Sequence, residues 1–236
     1  MNTKFPLAST AALIADPARA AMLTALLDAR PLSAGELARA ANVSAQSASM
    51  HLAQLLAGGF LRVLREGRHR FYRIASPDIA HAIEALGTIS TAQRYPLSIT
   101  NRDLCYARTC YDHLAGELGV KLSAALEHHR LLLPRGEEEY EVTRRGEDLL
   151  ARWQIDLESL RKARRPFARR CLDWTERQYH LAGALGAAIC QRFLDAHWIR
   201  REKQSRIVHL TPAGEQELIH LFGKTLRVQV QGSSGR

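Results

Sequence analysis

The sequence predicts a mainly helical α+β fold with small β-hairpins, and three observations support this. Apolar residues recur at helical spacing along most of the 236 residues. Three short stretches instead alternate apolar and polar residues, as hairpin strands do. One pattern of the second half occurs twice, which indicates an internal duplication. With 46% hydrophobic residues, a chain of this length can bury a core.

The first part of the chain predicts three consecutive helices. An Asp-Pro pair at residues 16–17 gives the first helix an N-cap and a proline at its first position. Ser33 and Glu36 have the spacing of a capping box at the start of the second helix. Only a few residues separate it from a third helix at residues 44–57. Two helices joined by so short a turn predict a helix-turn-helix.

The third helix is followed by an arginine-rich hairpin. Two glycines at 58–59 end the helix, and the segments FLRVLRE and RHRFYRIA alternate apolar and basic residues around Gly67. Small polar side chains let a helix enter the major groove of DNA, and a basic hairpin binds the phosphates beside it. The pattern predicts a DNA-binding winged helix; the alternative is a protein-binding winged helix with a solvated polar face. The candidate DNA-binding residues are Ser44, Gln46, Ser47, Ser49, Met50, His51, Gln54, Arg65, Arg68, His69 and Arg70.

The overall charge agrees with a nucleic-acid partner. A net charge of +9 and a pI near 9.8 favour an acidic partner, and the alternative is an arginine-rich surface without such a role. No apolar run approaches the roughly 20 residues of a membrane-spanning helix. The N-terminal segment runs directly into a patterned helix, and four scattered cysteines do not make a disulfide scaffold. We therefore expect a cytoplasmic protein with reduced thiols.

The helix and hairpin together resemble a known family. The stretch SAQSASMHLAQLLAGGFLRVLREGRHRFYRI is similar to the ArsR/SmtB family of dimeric winged-helix repressors, in its serine-rich helix, its His-Leu pair, its glycine stop and its Arg-Glu-Gly-Arg wing. The resemblance covers about residues 10–90. It implies a homodimer formed through the first helix and through the helix after the wing, residues 76–92.

The metal sites of that family are not reproduced in this chain. Members that sense metal through the first helix of the helix-turn-helix carry a cysteine pair there, whereas this chain reads ELARAANVS. Members that use the helix after the wing carry an Asp/His set near its start and a second set of His about three turns later, and here only Asp78 and His81 are present. We interpret His81 as a surface or dimer-contact histidine. Any effector site is therefore expected elsewhere.

The second half contains two copies of one pattern, at an offset of 67 residues that becomes 68 after a hairpin. His113 and His180 occupy equivalent positions in the segments HLAGELG and HLAGALG. Each copy predicts a pair of small-residue helices, a short hairpin and a final helix, which is a winged-helix-like unit. The acidic segment RGEEEYE favours an effector-binding or dimer-supporting role over DNA binding. The predicted domains are residues 1–92 for DNA binding and dimerisation, 93–160 and 161–228 for the two repeat units, and 229–236 for a disordered tail.

Thiols and imidazoles supply the reactive groups of this half. Cys110 and Cys171 lie in the related contexts CYDH and CLDW, so packing the copies together would bring them close. Cys110 and His113, three residues apart, are expected on one helix face. Cys105 would diverge from that face in an unbroken helix and is expected only as a supporting member of the site. Cys190 is expected in the core. The alternatives are a soft divalent metal ion as cofactor, thiol redox sensing, and packing with an organic effector or none.

These features predict a cytoplasmic, homodimeric transcriptional regulator that binds double-stranded DNA. It is expected to repress from an inverted-repeat operator until an effector, sensed in the C-terminal half, releases it. The sequence contains no phosphate-binding glycine loop and no paired nucleophile and base, so we predict no enzyme. The alternative is a small-molecule-binding protein or enzyme centred on the duplicated half, with the winged helix used for dimerisation.

Overall fold

The computed structural model describes residues 6–67, 69–89, 102–203 and 205–223. The chain divides into two compact units, which we call unit 1 (residues 1–100 and 203–206) and unit 2 (residues 101–202 and 207–236). The predicted DNA contact Arg68, the predicted helix end at 90–92 and the predicted tail at 229–236 lie outside the described residues. The domain boundaries predicted near residues 92, 160 and 228 stay predictions.

Unit 1 has the element order of a winged helix-turn-helix. The elements are α1 (Pro6–Ile14), α2 (Pro17–Ala25), β1 (Leu32–Ser33), α3 (Ala34–Ala40), α4 (Ala45–Ala57), β2 (Leu61–Glu66), β3 (His69–Ile74) and α5 (Pro77–Ile89). The strands form one antiparallel sheet in the order β1-β3-β2, in which β2 and β3 are the wing. The predicted fold of this part is confirmed.

Side-chain caps start the helices of unit 1 where the sequence places them. The carboxylate of Asp16 accepts from the backbone N–H of Arg19 at the start of α2. Ser33 and Glu36 form a complete capping box on α3, and the Ser44 hydroxyl accepts a backbone N–H at the start of α4. Each such cap satisfies backbone N–H groups that have no partner within the helix. Helix α1 was not predicted, because its residues were interpreted only as the N-terminal segment before the helix at residue 17.

The apolar faces of these helices bury a small core. Leu37 of α3 and Leu52 and Leu55 of α4 are at most 1% exposed, and they pack with α2 and the sheet. Replacing a buried leucine by alanine in such a core costs about 2–5 kcal/mol. This packing leaves the opposite face of α4 in solvent.

Unit 2 repeats one order of elements. The first copy comprises α6 (Arg102–Tyr106), β4 (Arg108–Cys110), β5 (His113–Ala115), α7 (Gly116–His128), β6 (Leu132–Arg135), β7 (Glu139–Val142) and α8 (Arg144–Arg152). The second comprises α9 (Leu157–Arg161), β8 (Arg169–Leu172), β9 (Tyr179–Ala182), α10 (Gly183–Asp195), β10 (Ile199–Arg201), β11 (Val208–Leu210) and α11 (Pro212–Phe222). Each copy is therefore helix, hairpin, helix, hairpin and helix.

Each copy has one long small-residue helix, not the predicted pair. The residues before α7 and α10 form strands, and the chain turns into each helix at a glycine with positive φ, 75° at Gly116 and 80° at Gly183. A Cβ atom at Gly116 would lie 2.5 Å from the carbonyl oxygen of Cys105, and one at Gly183 would lie 2.6 Å from that of Pro166. Only glycine fits both the backbone angle and the space.

The two copies share one hydrophobic core. Leu118 and Leu185 from equivalent positions of α7 and α10 belong to it, and so do the ring contacts among Trp153, Phe193 and Trp198. A four-stranded sheet in the order β6-β7-β8-β9 also contains strands of both copies. Among the described residues, no helix is both long and apolar enough to cross a bilayer.

Candidate DNA interface and thiol–imidazole cluster

The solvent-facing side of α4 carries several of the predicted DNA contacts. Gln46, Ser49 and Met50 are exposed, Met50 with 59% of its surface, and Ser47 is half-buried. Their spacing places them along one face, because residues three and four apart lie side by side on a helix. This face offers an amide, two hydroxyls and a thioether, which are groups that can reach base edges in a groove.

Other predicted contacts on α4 already have partners within unit 1. The Ser44 hydroxyl caps the helix, and the Ser49 hydroxyl donates to the carbonyl of Ala45 at 2.9 Å. The Gln54 amide oxygen accepts from the guanidinium of Arg19. His51 is half-buried, with its Nδ1 3.6 Å from the carboxylate of Asp16. The helix therefore presents Gln46, Ser47 and Met50 as its least engaged polar or polarisable groups.

The wing places arginines directly opposite each other. Arg62 pairs with Arg73 and Arg65 pairs with Arg70 across the antiparallel strands β2 and β3. Arg62, Arg65 and Arg70 are exposed, as is the predicted contact His69. Like charges on directly opposite strand positions are destabilising in the absence of a counter-charge. A polyanion such as the DNA backbone would supply that counter-charge.

Unit 2 contains a compact cluster of thiols and imidazoles, which we call the Cys2His2 cluster. It consists of Cys110, His113, Cys171 and His180, and one ligand atom from each lies within 4.8 Å of all the others. Cys110 and His113 are strand partners in hairpin β4–β5, and Cys171 and His180 are strand partners in hairpin β8–β9. Each copy thus contributes one cysteine and one histidine from equivalent hairpins.

The two histidine rings of the cluster face each other through the same nitrogen. Their Nε2 atoms are 3.1 Å apart, and both side chains are buried. The Nδ1 atom of His113 is 3.4 Å from an oxygen of Asp112, and that of His180 is 3.5 Å from an oxygen of Asp173. The contact with Asp173 does not form a hydrogen bond, and within the described residues Nδ1 of His180 has no hydrogen-bond partner. A carboxylate therefore stands behind each ring.

Asp173 is the centre of a buried polar network beside the cluster. The Arg108 guanidinium donates to both of its oxygens at 2.9 and 3.0 Å, and the backbone N–H of Gly116 donates at 2.7 Å. Arg108 and Asp173 are at most 1% exposed. Burial raises the pKa of Asp173, but the Arg108 charge and the hydrogen bonds outweigh it and hold the pKa well below its usual range. Asp173 therefore stays ionised.

Asp112 forms the equivalent partner on the other hairpin. Its carboxylate accepts from Arg165 at 2.6 Å, and the hydrogen bond with His113 together with Arg165 holds its pKa well below the usual range. Burial lowers the pKa of His113, but hydrogen bonds with Asp112 and Cys110 outweigh it and raise the pKa to about 9. The raised pKa favours the positively charged imidazolium form of His113 at neutral pH.

The structure brings together three of the four predicted thiol or imidazole residues. Cys105 lies in α6 outside the cluster, where burial raises its pKa. Cys110 and His113 do not share a helix face, which corrects that expectation: Tyr111, with φ 63°, turns the chain into a hairpin that places them opposite each other. His180 was missed as a site residue, although its alignment with His113 in the repeat was a signal for it. Cys190 lies in the core, as predicted.

Comparisons with known proteins agree with the winged helix of unit 1. A family model described as a helix-turn-helix domain matches residues 14–63. The uncharacterized HTH-type transcriptional regulator YdfF of Bacillus subtilis (strain 168) is 42% identical over 227 residues, which cover 95% of this chain and 98% of the relative. The chain belongs to the HTH-type transcriptional regulators. Because the similarity spans nearly the whole chain, the regulator shares unit 2 with that relative as well.

Two solved structures each match less than two fifths of the regulator. HlyU from Vibrio cholerae is 29% identical and covers 39% of this chain and 100% of its own, with a TM-score of 0.34. The transcriptional repressor BigR from Xylella fastidiosa is 26% identical and covers 37% and 88%, also with a TM-score of 0.34. The prediction of a DNA-binding winged helix-turn-helix regulator is confirmed by the relative and the family model.

Proposed function

We propose that this regulator is a cytoplasmic homodimer that binds an inverted-repeat operator and represses transcription until an effector releases it. In this proposal α4 of each protomer enters the major groove and the wing contacts the phosphates. The effector, a soft metal ion or a thiol-reactive species, is held in unit 2. The protein acts by binding and catalyses no reaction.

The observation that carries the proposal is the pairing of arginines across the wing, the hairpin that follows α4 in the chain. Two cross-strand pairs, Arg62 with Arg73 and Arg65 with Arg70, bring four positive charges onto one short hairpin. Such a pair costs a few tenths of a kcal/mol or more without a counter-charge. Phosphates next to the major groove provide that counter-charge while α4 contacts base edges.

Apolar residues on α1 and α5 support the homodimer. Leu7 of α1 is 78% exposed and Leu86 of α5 is 44% exposed. The described part of α1 carries no charged residue, so the solvent-facing surface of this helix is largely apolar. A second copy of the chain would cover these helices, and two copies related by twofold symmetry would read the two halves of an inverted repeat.

The proposal is tested by measuring binding of the full chain to DNA. A labelled duplex from the region upstream of the regulator's own gene is compared with a shuffled duplex of equal length, by fluorescence anisotropy at several salt concentrations. We expect tighter binding to the upstream duplex and an affinity that falls steeply with salt for both. Equal affinities at every salt concentration, or no binding at all, would contradict the proposal.

A further inference from the structure

We propose that Cys110, His113, Cys171 and His180 bind one Zn²⁺ ion in a closed tetrahedral site. The ligand atoms would be the two Sγ atoms and the two Nε2 atoms. One cysteine and one histidine come from each copy of the repeat, so the site exists only where the copies pack together. The further statement that this ion is the effector rests on the function proposed above.

The spacing of the four ligand atoms fits a tetrahedral ion. All of them lie within 4.8 Å of one another. Zn–N and Zn–S bonds of about 2.0–2.3 Å place the ligand atoms of a tetrahedral site about 3.3–3.8 Å apart. The two Nε2 atoms, at 3.1 Å, are already close to this separation. Binding therefore needs only small movements of the side chains.

The surroundings of the histidines fit metal coordination. Histidines that bind a metal through one nitrogen usually direct the other towards a carboxylate, a carbonyl or water. Here Nδ1 of His113 faces Asp112 and Nδ1 of His180 faces Asp173. With a proton on each Nδ1, the two N–H groups would donate hydrogen bonds to these carboxylates. Both Nε2 lone pairs would then be directed at the space between the rings. Nδ1 of His180, which has no hydrogen-bond partner among the described residues, would then donate to Asp173.

Charge balance favours a divalent ion. Two thiolates and one Zn²⁺ ion form a neutral group, which a buried site tolerates. The neighbouring carboxylates are balanced separately, Asp173 by Arg108 and Asp112 by Arg165. A monovalent ion would leave a net negative charge among buried side chains. A disulfide between Cys110 and Cys171 would involve the sulfurs alone and would give no role to the facing histidines.

Four protein ligands leave no open position on the ion. A closed site of this kind holds structural elements together and does not activate water. In this protein it would join hairpin β4–β5 of the first copy to hairpin β8–β9 of the second. An ion that binds one arrangement of the copies more tightly than another shifts the equilibrium towards it, which is the requirement for an effector.

The site is tested with the full chain, purified with a reductant and a chelator and then titrated with Co²⁺. Co²⁺ reports tetrahedral thiolate coordination by intense visible bands and a thiolate-to-cobalt charge-transfer band. We expect one Co²⁺ per chain with these bands, and their loss when Zn²⁺ is added. Absence of the bands in the wild-type protein, or the weak spectrum of octahedral Co²⁺, would overturn the proposal without the need for any variant.

Variants identify the ligands. His180→Ala and Cys171→Ser should abolish the tetrahedral spectrum, while the matched control Cys105→Ser, a cysteine outside the cluster, should retain it. Asp112→Asn, at a half-exposed side chain behind His113, should keep the spectrum and weaken binding about 10-fold or more. Circular dichroism verifies that each variant is folded. An unchanged spectrum in folded His180→Ala overturns the assignment.

The role of the ion as effector is measured separately. Binding to the upstream DNA duplex is compared between the chelated and the Zn²⁺-loaded protein. A change in affinity that disappears in His180→Ala supports the effector role. If Co²⁺ binds in tetrahedral geometry but DNA affinity does not change, the effector role is overturned and the metal site is retained. If the protein binds metal but no DNA, the function proposed above is overturned and the metal site is retained.

Discussion

At the scale of single residues, the structure separates the side chains of α4 that face solvent from those that serve the fold. Gln46 and Met50 are exposed, as the helical spacing predicted. His51 and Gln54, also predicted as DNA contacts, have partners within unit 1: His51 is half-buried beside Asp16, and the exposed Gln54 accepts from Arg19. Helical periodicity gives the direction of a side chain but does not reveal which neighbouring element it meets.

Gln46 is expected to discriminate between bases. If its amide contacts an adenine through two hydrogen bonds, Gln46→Ala reduces the preference for operator over random DNA by about 1–3 kcal/mol. Anisotropy titrations with both duplexes measure this preference. The matched control is Gln191→Ala, a glutamine on α10 of unit 2, which should leave the preference unchanged. Equal losses on both duplexes would remove Gln46 from the base-reading set.

The residues of the Cys2His2 cluster show how far sequence reasoning reaches at this scale. The related contexts CYDH and CLDW predicted that Cys110 and Cys171 come close, and the structure places them together. His180 was aligned with His113 but not chosen, because no sequence rule says that its ring meets the other across the repeat. Cys105 was chosen for its proximity in sequence, and the turn of the chain after α6 carries it away from the cluster.

At the scale of secondary-structure elements, local signals predicted the helix-turn-helix well. Ser33 and Ser44 start α3 and α4, and Gly58 follows α4. Caps act within one turn of the chain, so the sequence alone suffices to find them. Hairpin β4–β5 was missed because its strands have three residues each and their turn uses Tyr111 at positive φ, an uncommon choice for a non-glycine residue.

The capping box of α3 predicts a dependence of stability on pH. Hydrogen bonds from the backbone N–H and hydroxyl of Ser33 lower the pKa of Glu36 from its ordinary value of 4.5. A lowered pKa stabilises the fold above the unfolded-state value, and this contribution is lost as the pH falls through the folded-state value. Urea unfolding should therefore show a stability difference between wild type and Glu36→Gln that is constant near neutral pH and shrinks below about pH 4.5. A difference that persists unchanged to pH 3 would contradict this.

The wing is expected to contribute affinity without sequence preference. Replacing both Arg65 and Arg70 by alanine should weaken binding to operator and random DNA alike. Each lost phosphate contact lowers the slope of log affinity against log salt by about 0.9, so the double variant should lose about two units. Arg144→Ala with Arg145→Ala, two exposed arginines of α8 in unit 2, is the matched control. An unchanged slope in the wing variant would show that these arginines do not touch phosphate.

At the scale of the whole molecule, the duplication was visible in the sequence but its packing was not. The offset of 67 residues predicted two similar copies, and both show the same order of elements. A single pairing between the copies, Glu139 with Arg169, joins their strands into the sheet β6-β7-β8-β9. Contacts so distant along the chain leave no periodic signal, which also explains why a single core for both copies was not expected.

Sequence-specific binding to symmetric DNA is tested most directly by selecting DNA fragments from the source genome with the purified full chain. Bound fragments are recovered at a salt concentration that suppresses non-specific binding and are sequenced. We predict enrichment of a small set of fragments that share an inverted repeat, with half-sites about one helical turn, roughly 10 base pairs, or a multiple of it apart. Recovery of fragments without a shared motif, or of a motif without twofold symmetry, would contradict a homodimer that reads DNA through α4.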